Sequence, residues 1–98
     1  MPPSKVYDAT PTAAYAAGAL KAAAGLYHGF SLRETTGVAP AIVRLFDHAS
    51  SATGTCVEEI SLAPGESARE YYVDGVICAL GLFAQTVSGS VAGSVRVR

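Results

Sequence analysis

From about Gly25 to Arg98 the chain alternates apolar and polar residues in short runs, each cut off by Gly, Pro, Ser or an Asp-Gly pair. A period of two places successive side chains on opposite faces, which is the pattern of a half-buried β-strand. Breaks this frequent leave no room for a long amphipathic helix. The pattern therefore limits three-quarters of the molecule to short antiparallel strands.

Leu26 to Thr35 is the firmest of these strands, with Leu26, His28, Phe30 and Leu32 on one face and Tyr27, Ser31, Arg33 and Thr35 on the other. Thr36-Gly37 breaks the chain and Pro40 opens the next strand. There Ala41, Val43 and Leu45 alternate with Ile42, Arg44 and Phe46, so one face suits a core and the other leaves Ile42 and Phe46 as exposed apolar candidates for contact. A polar loop, His48 to Gly54, leads to a strand from Cys56 to Leu62, with Cys56, Glu58, Ile60 and Leu62 on the inward parity. Ala63-Pro64-Gly65-Glu66 fits a type II turn, in which Pro sets the first central angle and Gly supplies the positive φ. Ala68 to Val73 then reads as a strand, Asp74-Gly75 as a hairpin turn, and Val76 to Leu80, Leu82 to Ser88 and Val91 to Val97 as the last strands. In the final strand Val91, Val95 and Val97 share one face.

About seven or eight short strands with regular turn signals predict an all-β fold, a two-sheet antiparallel sandwich of jelly-roll or immunoglobulin-like type. The 98 residues suffice for one domain. Met1 to Thr12 is set apart by Pro2, Pro3 and Pro11, which favour extended backbone, so the chain divides into a Pro-rich N-terminal arm (1–12) and a sandwich domain (13–98). Val6 and Tyr7 are the arm's sizeable apolar anchors. Ala13 to Ala24 is Ala-rich, which favours helix, but Gly18 interrupts it and no capping box precedes it. The reading favours a strand over Leu20 to Ala23, paired in a hairpin with the next.

Half the residues are hydrophobic and only 15% charged, so much of the surface must be Ala, Val, Ser, Thr and Gly. Such a surface tolerates close protein contact. The seven basic residues are scattered and the net charge is −1, which gives nucleic-acid binding no support. The Ala-rich stretch is too short and too interrupted to span a membrane. No leucine-rich segment follows Met1-Pro2-Pro3-Ser4-Lys5, so use without export by a standard route is expected. Cys56 and Cys78 read as buried free thiols, with a cross-strand disulfide as the alternative.

Catalysis needs a nucleophile, a base and an orienting group in one place, and none converge here. His28 reads as a core histidine. Asp47 and His48 are adjacent on a strand end and point apart, which favours turn stabilisation over a metal or base site. Glu58 and Glu59 likewise project to opposite faces; Glu58 is awkward inside unless it pairs with an arginine such as Arg69 or the strand bulges. No metal, cofactor or phosphate-loop spacing is present. Tyr27 and Tyr71 fall on outward faces, as strand-edge cover, contact residues or sugar platforms.

The runs GLYHGFSLRETTGVAPAIVRLFD, EISLAPGES and DGVICALGLFAQTVSGSVAGSVRV resemble small structural proteins of tailed bacteriophages of actinobacteria and relatives. The likeness lies in a strand, an RETTG-like break, a second strand, a small-residue loop, a PGES-like turn and a closing hairpin. It implies a virion protein, first a head decoration (cement) protein that binds the capsid exterior at capsomer junctions, stabilises the expanded shell and is made in the host cytoplasm. The implied partners are the major capsid protein, other virion subunits and further copies of the chain, with a trimer favoured. No nucleic acid, membrane or enzymatic activity is expected. Candidate interface residues are Pro2, Pro3, Val6, Tyr7, Tyr27, Ile42, Phe46 and Tyr71. A tail or neck component, or a carbohydrate-binding or adhesive β-sandwich module, is the alternative.

Overall fold

The structure, a computed structural model, describes Ser4–Ala9 and residues 17–98, with side chains from residue 18 on. Eight strands follow in order: β1 Ser4–Ala9, β2 Ala17–Lys21, β3 Gly25–Glu34, β4 Ala41–Asp47, β5 Thr55–Leu62, β6 Ser67–Cys78, β7 Leu82–Ser88 and β8 Val91–Val97. No helix occurs among the described residues. The front sheet runs β1-β8-β3-β6 and the back sheet β2-β7-β4-β5, and every pairing is antiparallel. Strand β1 pairs with β8, β2 with β7, β3 with β6 and β4 with β5, as in one long antiparallel ribbon rolled up on itself. That order is the jelly roll, and it decides between the two sandwich types the pattern allowed.

Rolling the ribbon also corrects the expected hairpins. Among the described strands, β4 and β5 are the one consecutive pair that hydrogen-bonds directly. Strand β2 pairs with β7 instead of β3, and it covers Ala17–Lys21, where Leu20 to Ala23 was expected. The chain crosses between sheets at Gly89-Ser90, so β7 and β8 form no closing hairpin. Within the Pro-rich arm, Ser4–Ala9 is extended and forms an edge strand of the front sheet, with Ser4 opposite Arg96 and Ala9 opposite Val91. Pro2 and Pro3 lie outside the described residues.

The inner faces meet in one core of Tyr27, Phe30 and Leu32 from β3, Val43 and Leu45 from β4, Ile60 and Leu62 from β5, with Leu82, Val91, Val95 and Val97 behind them. The alternation read from β4 and β8 holds: Ala41, Val43, Leu45, Val91 and Val95 are fully buried. The Ala63–Glu66 turn also holds, since the Glu66 amide donates to the Ala63 carbonyl at 2.9 Å and Gly65 has φ of 72°.

Besides a shift at Ala19/Lys21 between β2 and β7, three irregularities break the register, and two of them move residues to an unexpected face. Between Tyr27 and Gly29, β3 contributes one residue while β6 contributes four, Tyr72 to Gly75. Asp74-Gly75 therefore turns within a bulge of one continuous strand instead of ending a hairpin. The bulge reverses parity along β3, so Tyr27 is fully buried, not outward. Gly29 carries the reversal with φ of 123°, and a Cβ there would collide with the Glu70 carbonyl. A second irregularity, at Leu45/Phe46, leaves Val57 unpaired. Cys56, beyond it on β5, is consequently exposed, not buried; Phe46 keeps the outward parity of β4 opposite Phe83 but is buried there, not an exposed contact residue. A third shifts β4 against β7 between Ile42 and Val43.

Candidate interaction surface

Ionisable side chains first account for the two ends and one edge of the sandwich. At one end, Glu34 leaves β3 and its carboxylate accepts from the amides of Thr36 (2.8 Å), Gly37 (2.6 Å) and Gly65 (3.0 Å) and from the Thr36 hydroxyl (2.7 Å). One carboxylate thus ties the loop after β3 to the loop before β6. Desolvation pushes its pKa upward, but the four hydrogen bonds outweigh it and hold the group at about 2. At the opposite end, Asp47 accepts from the amides of Ala79 (3.1 Å) and Leu80 (2.8 Å). The Leu80 bond is the largest cause of its lowered pKa, and burial opposes it. His48 Nδ1 accepts from the amides of Ser50 and Ser51, both at 3.0 Å, so its role is the turn-forming one expected.

Between the edge strands β5 and β6 lies a polar clasp. Glu58 Oε1 accepts from the Tyr27 hydroxyl at 3.1 Å and the Tyr72 hydroxyl at 2.6 Å. The two rings meet edge to face at 5.7 Å. The expected bulge beside Glu58 is present, but two tyrosines serve it instead of Arg69. Burial first, then the charge and hydrogen bond of Glu58, push the Tyr27 phenol far up. The Glu58 hydrogen bond, then partial burial, raise Tyr72 to about 12.

His28 is buried, but beneath the β6 bulge on the outer side of the front sheet and not in the inter-sheet core. Its Nδ1–H donates to the Tyr72 carbonyl at 2.8 Å, the Tyr71 ring stacks on it at 6.1 Å, and Gly75 packs over it. Its Nε2 is buried and has no hydrogen-bond partner among the described residues.

Around this bulge lies the exposed apolar surface. Tyr71, Val73, Val76, Ile77 and Leu80 are exposed, Val73 and Ile77 by about three-quarters. They follow β6, an edge strand of the front sheet, and the loop after it. An edge strand offers unpaired backbone groups as well as side chains, and apolar residues along it mark a contact surface.

Beyond the bulge, the outer face of the front sheet is polar, and its register forms a grid. Ser67, Arg33 and Ala92 share one cross-strand row. Arg69, Ser31 and Ser94 share the next. Tyr71, Gly29 and Arg96 share the third. Each row thus carries one arginine, with small neighbours except for Tyr71. Arg69, Glu70, Tyr71 and Arg96 line an open hollow of about 650 Å³, and two smaller hollows of about 250 and 270 Å³ lie beside Ser31, one against Arg69 and one against Arg33.

Of the residues proposed from sequence, Tyr71 is exposed on this face and Ile42 is half-buried on the back sheet. Val6 and Tyr7 occupy β1 register positions opposite Ser94 and Gly93, and their side chains lie outside the described set. These residues therefore do not make one patch. The strip that alternation missed, Val73, Val76 and Ile77, has a signal in hindsight: VDGVI puts apolar residues on both parities of an edge strand, and one buried face cannot absorb both. Among the described residues no group of three His, Cys, Asp or Glu is placed to hold a metal ion. Comparison with protein-family models, curated proteins and solved structures returned no match.

Proposed function

We propose that this chain is a non-catalytic structural subunit of a virus particle, a head decoration protein that stabilises the shell by binding its exterior at subunit seams. The observation that carries the assembly role is the exposed strip Val73, Val76, Ile77 and Leu80 along β6 and its following loop. Covering a Val or Ile side chain contributes about 1.5–3 kcal/mol, and a lattice of many copies multiplies a modest contact. The same strip serves association between copies, a trimer being the arrangement the sequence resemblance implies. The jelly roll is compatible with this role but does not select it, because viral capsid domains, lectins and cupins share the architecture. The sequence resemblance supplies the virion setting.

The test is to purify particles carrying either the native chain or a Val73→Asp/Ile77→Asp variant and to measure occupancy by quantitative mass spectrometry. Both side chains are exposed, so the variant folds with an unchanged melting temperature. Near-complete loss of occupancy supports the role. Native occupancy by the variant refutes the β6 strip as the docking surface, and absence of the native chain from particles refutes the virion setting.

A further inference from the structure

The arginines of the front sheet stand out against how the molecule uses its other charges. Of eight acidic residues, five are already committed. Glu34, Asp47 and Glu58 hold loops and the edge clasp. Glu59 pairs with Arg44 at 2.7 Å on the back sheet, and Glu66 accepts from the Ala63 amide. Arg33, Arg69 and Arg96 make no ion pair among the described residues, and all three rise from one sheet face. Three of the seven basic residues thus share one surface, with Glu70 the one carboxylate lining its largest described hollow.

Geometry narrows what this surface fits. With strands about 4.8 Å apart and a rise of about 3.4 Å per residue, the register sets the three arginine Cα atoms roughly 8, 12 and 14 Å from one another. No single small anion reaches all three, whereas an extended polyanion does. Between the arginines the floor is Gly29, Ser31 and Ser94, with Ser67 at the rim. These hydroxyls have no side-chain hydrogen bond among those found in the structure. Tyr71, held by stacking on His28, is the one large ring in the grid. A protein interface of this size needs an apolar centre, and this face lacks one. Free hydroxyls, one aromatic platform and spaced guanidiniums instead suit a chain of hydroxylated rings bearing carboxylates. Arginine binds carboxylates in a bidentate, charge-assisted manner.

We infer that the outer face of the front sheet, from Arg33 through Arg69 to Arg96 with Tyr71 as platform, is a binding site for an acidic polysaccharide of the uronate type. The site meets the β6 apolar strip at Tyr71 but rests on its arginines and does not depend on the assembly role. Its ligand lies along the three-strand floor, with carboxylates on the guanidiniums and a sugar face on Tyr71. Binding weakens with salt, because the charges are exposed.

The test uses the full chain and polygalacturonate oligomers as the probe, in calorimetry and affinity electrophoresis, with neutral dextran, polyglutamate and duplex DNA alongside. Polygalacturonate is expected to bind in preference to all three. An Arg69→Gln/Arg96→Gln variant is expected to lose roughly ten- to hundredfold in affinity, as for removal of charge-assisted bonds. Tyr71→Ala weakens binding with an unchanged salt dependence, and Arg44→Gln on the back sheet leaves it unaltered. The arginine substitutions preserve the native melting temperature, and binding by Tyr71→Ala is measured well below its own. No binding of polygalacturonate, equal loss in Arg44→Gln, or tighter binding of DNA or polyglutamate overturns the assignment; the last two would make the face a nucleic-acid or acidic-protein surface.

Discussion

Replacing Glu58 by leucine removes the acceptor shared by Tyr27 and Tyr72 and leaves both phenols in place. Tyr27 is fully buried, so its hydroxyl, now 3.1 Å from nothing that accepts, incurs the desolvation penalty of an unpaired group, about 1–3 kcal/mol. Tyr72 is only partly buried and recovers a water, at a net loss of about 1 kcal/mol. The single variant should therefore lose about 2–4 kcal/mol, or roughly 10–30 °C in melting temperature for a domain of this size. In the triple variant Tyr27→Phe/Glu58→Leu/Tyr72→Phe no polar group is stranded, and replacing all partners by apolar ones is nearly neutral, within about 1 kcal/mol of the native chain. Chemical denaturation of the two variants side by side reads the difference. A triple variant as unstable as Glu58→Leu would refute the reasoning, because the loss would then be one of packing and not of an unsatisfied donor. The clasp also sets a pH limit. Tyr72 ionises near 10 when unfolded and near 12 when folded. Its contribution is complete below about 10 and is lost as pH rises towards about 12, a decline that Tyr72→Phe should lessen.

Gly29→Ala should lower stability by about 2–4 kcal/mol, because its positive φ and the Glu70 carbonyl both oppose a Cβ; urea denaturation checks it, and a near-native midpoint would mean the bulge can relax. Glu34 is held at about 2 against an ordinary 4.5, so its stabilisation is complete above 4.5 and lost as pH falls towards 2. Melting curves across that range should be flatter for Glu34→Gln. Cys56 is exposed and Cys78 buried, both free, so a thiol reagent should modify one cysteine in the native chain and the second only on unfolding.

Strand existence was readable because most strands keep strict alternation over several residues: Leu82 to Ser88 and Val91 to Val97 sit where the pattern put them. Connectivity was not readable. A turn such as Ala63–Glu66 has the same local chemistry whether it closes a hairpin or crosses between sheets. The faces of Tyr27 and Cys56 depart from simple alternation for one reason. Alternation assigns faces only while register is unbroken, and a bulge reverses every assignment beyond it. Gly29 was visible as a glycine inside a strand pattern, the usual mark of such a bulge, but its effect depends on the four-residue excursion of β6. The arginine grid is legible only with the pairing in hand, since Arg33, Arg69 and Arg96 are far apart in sequence and meet solely through the β8-β3-β6 register.

The central claim is that this jelly roll acts by covering its β6 strip against a particle surface. Cryo-electron microscopy of purified particles, with copy number counted by mass spectrometry, tests it most directly. Copies are expected in proportion to the capsid lattice, with Val73 and Ile77 buried at junctions between shell subunits. A small count matching tail symmetry, or lattice density in which the β6 strip faces solvent, would contradict it.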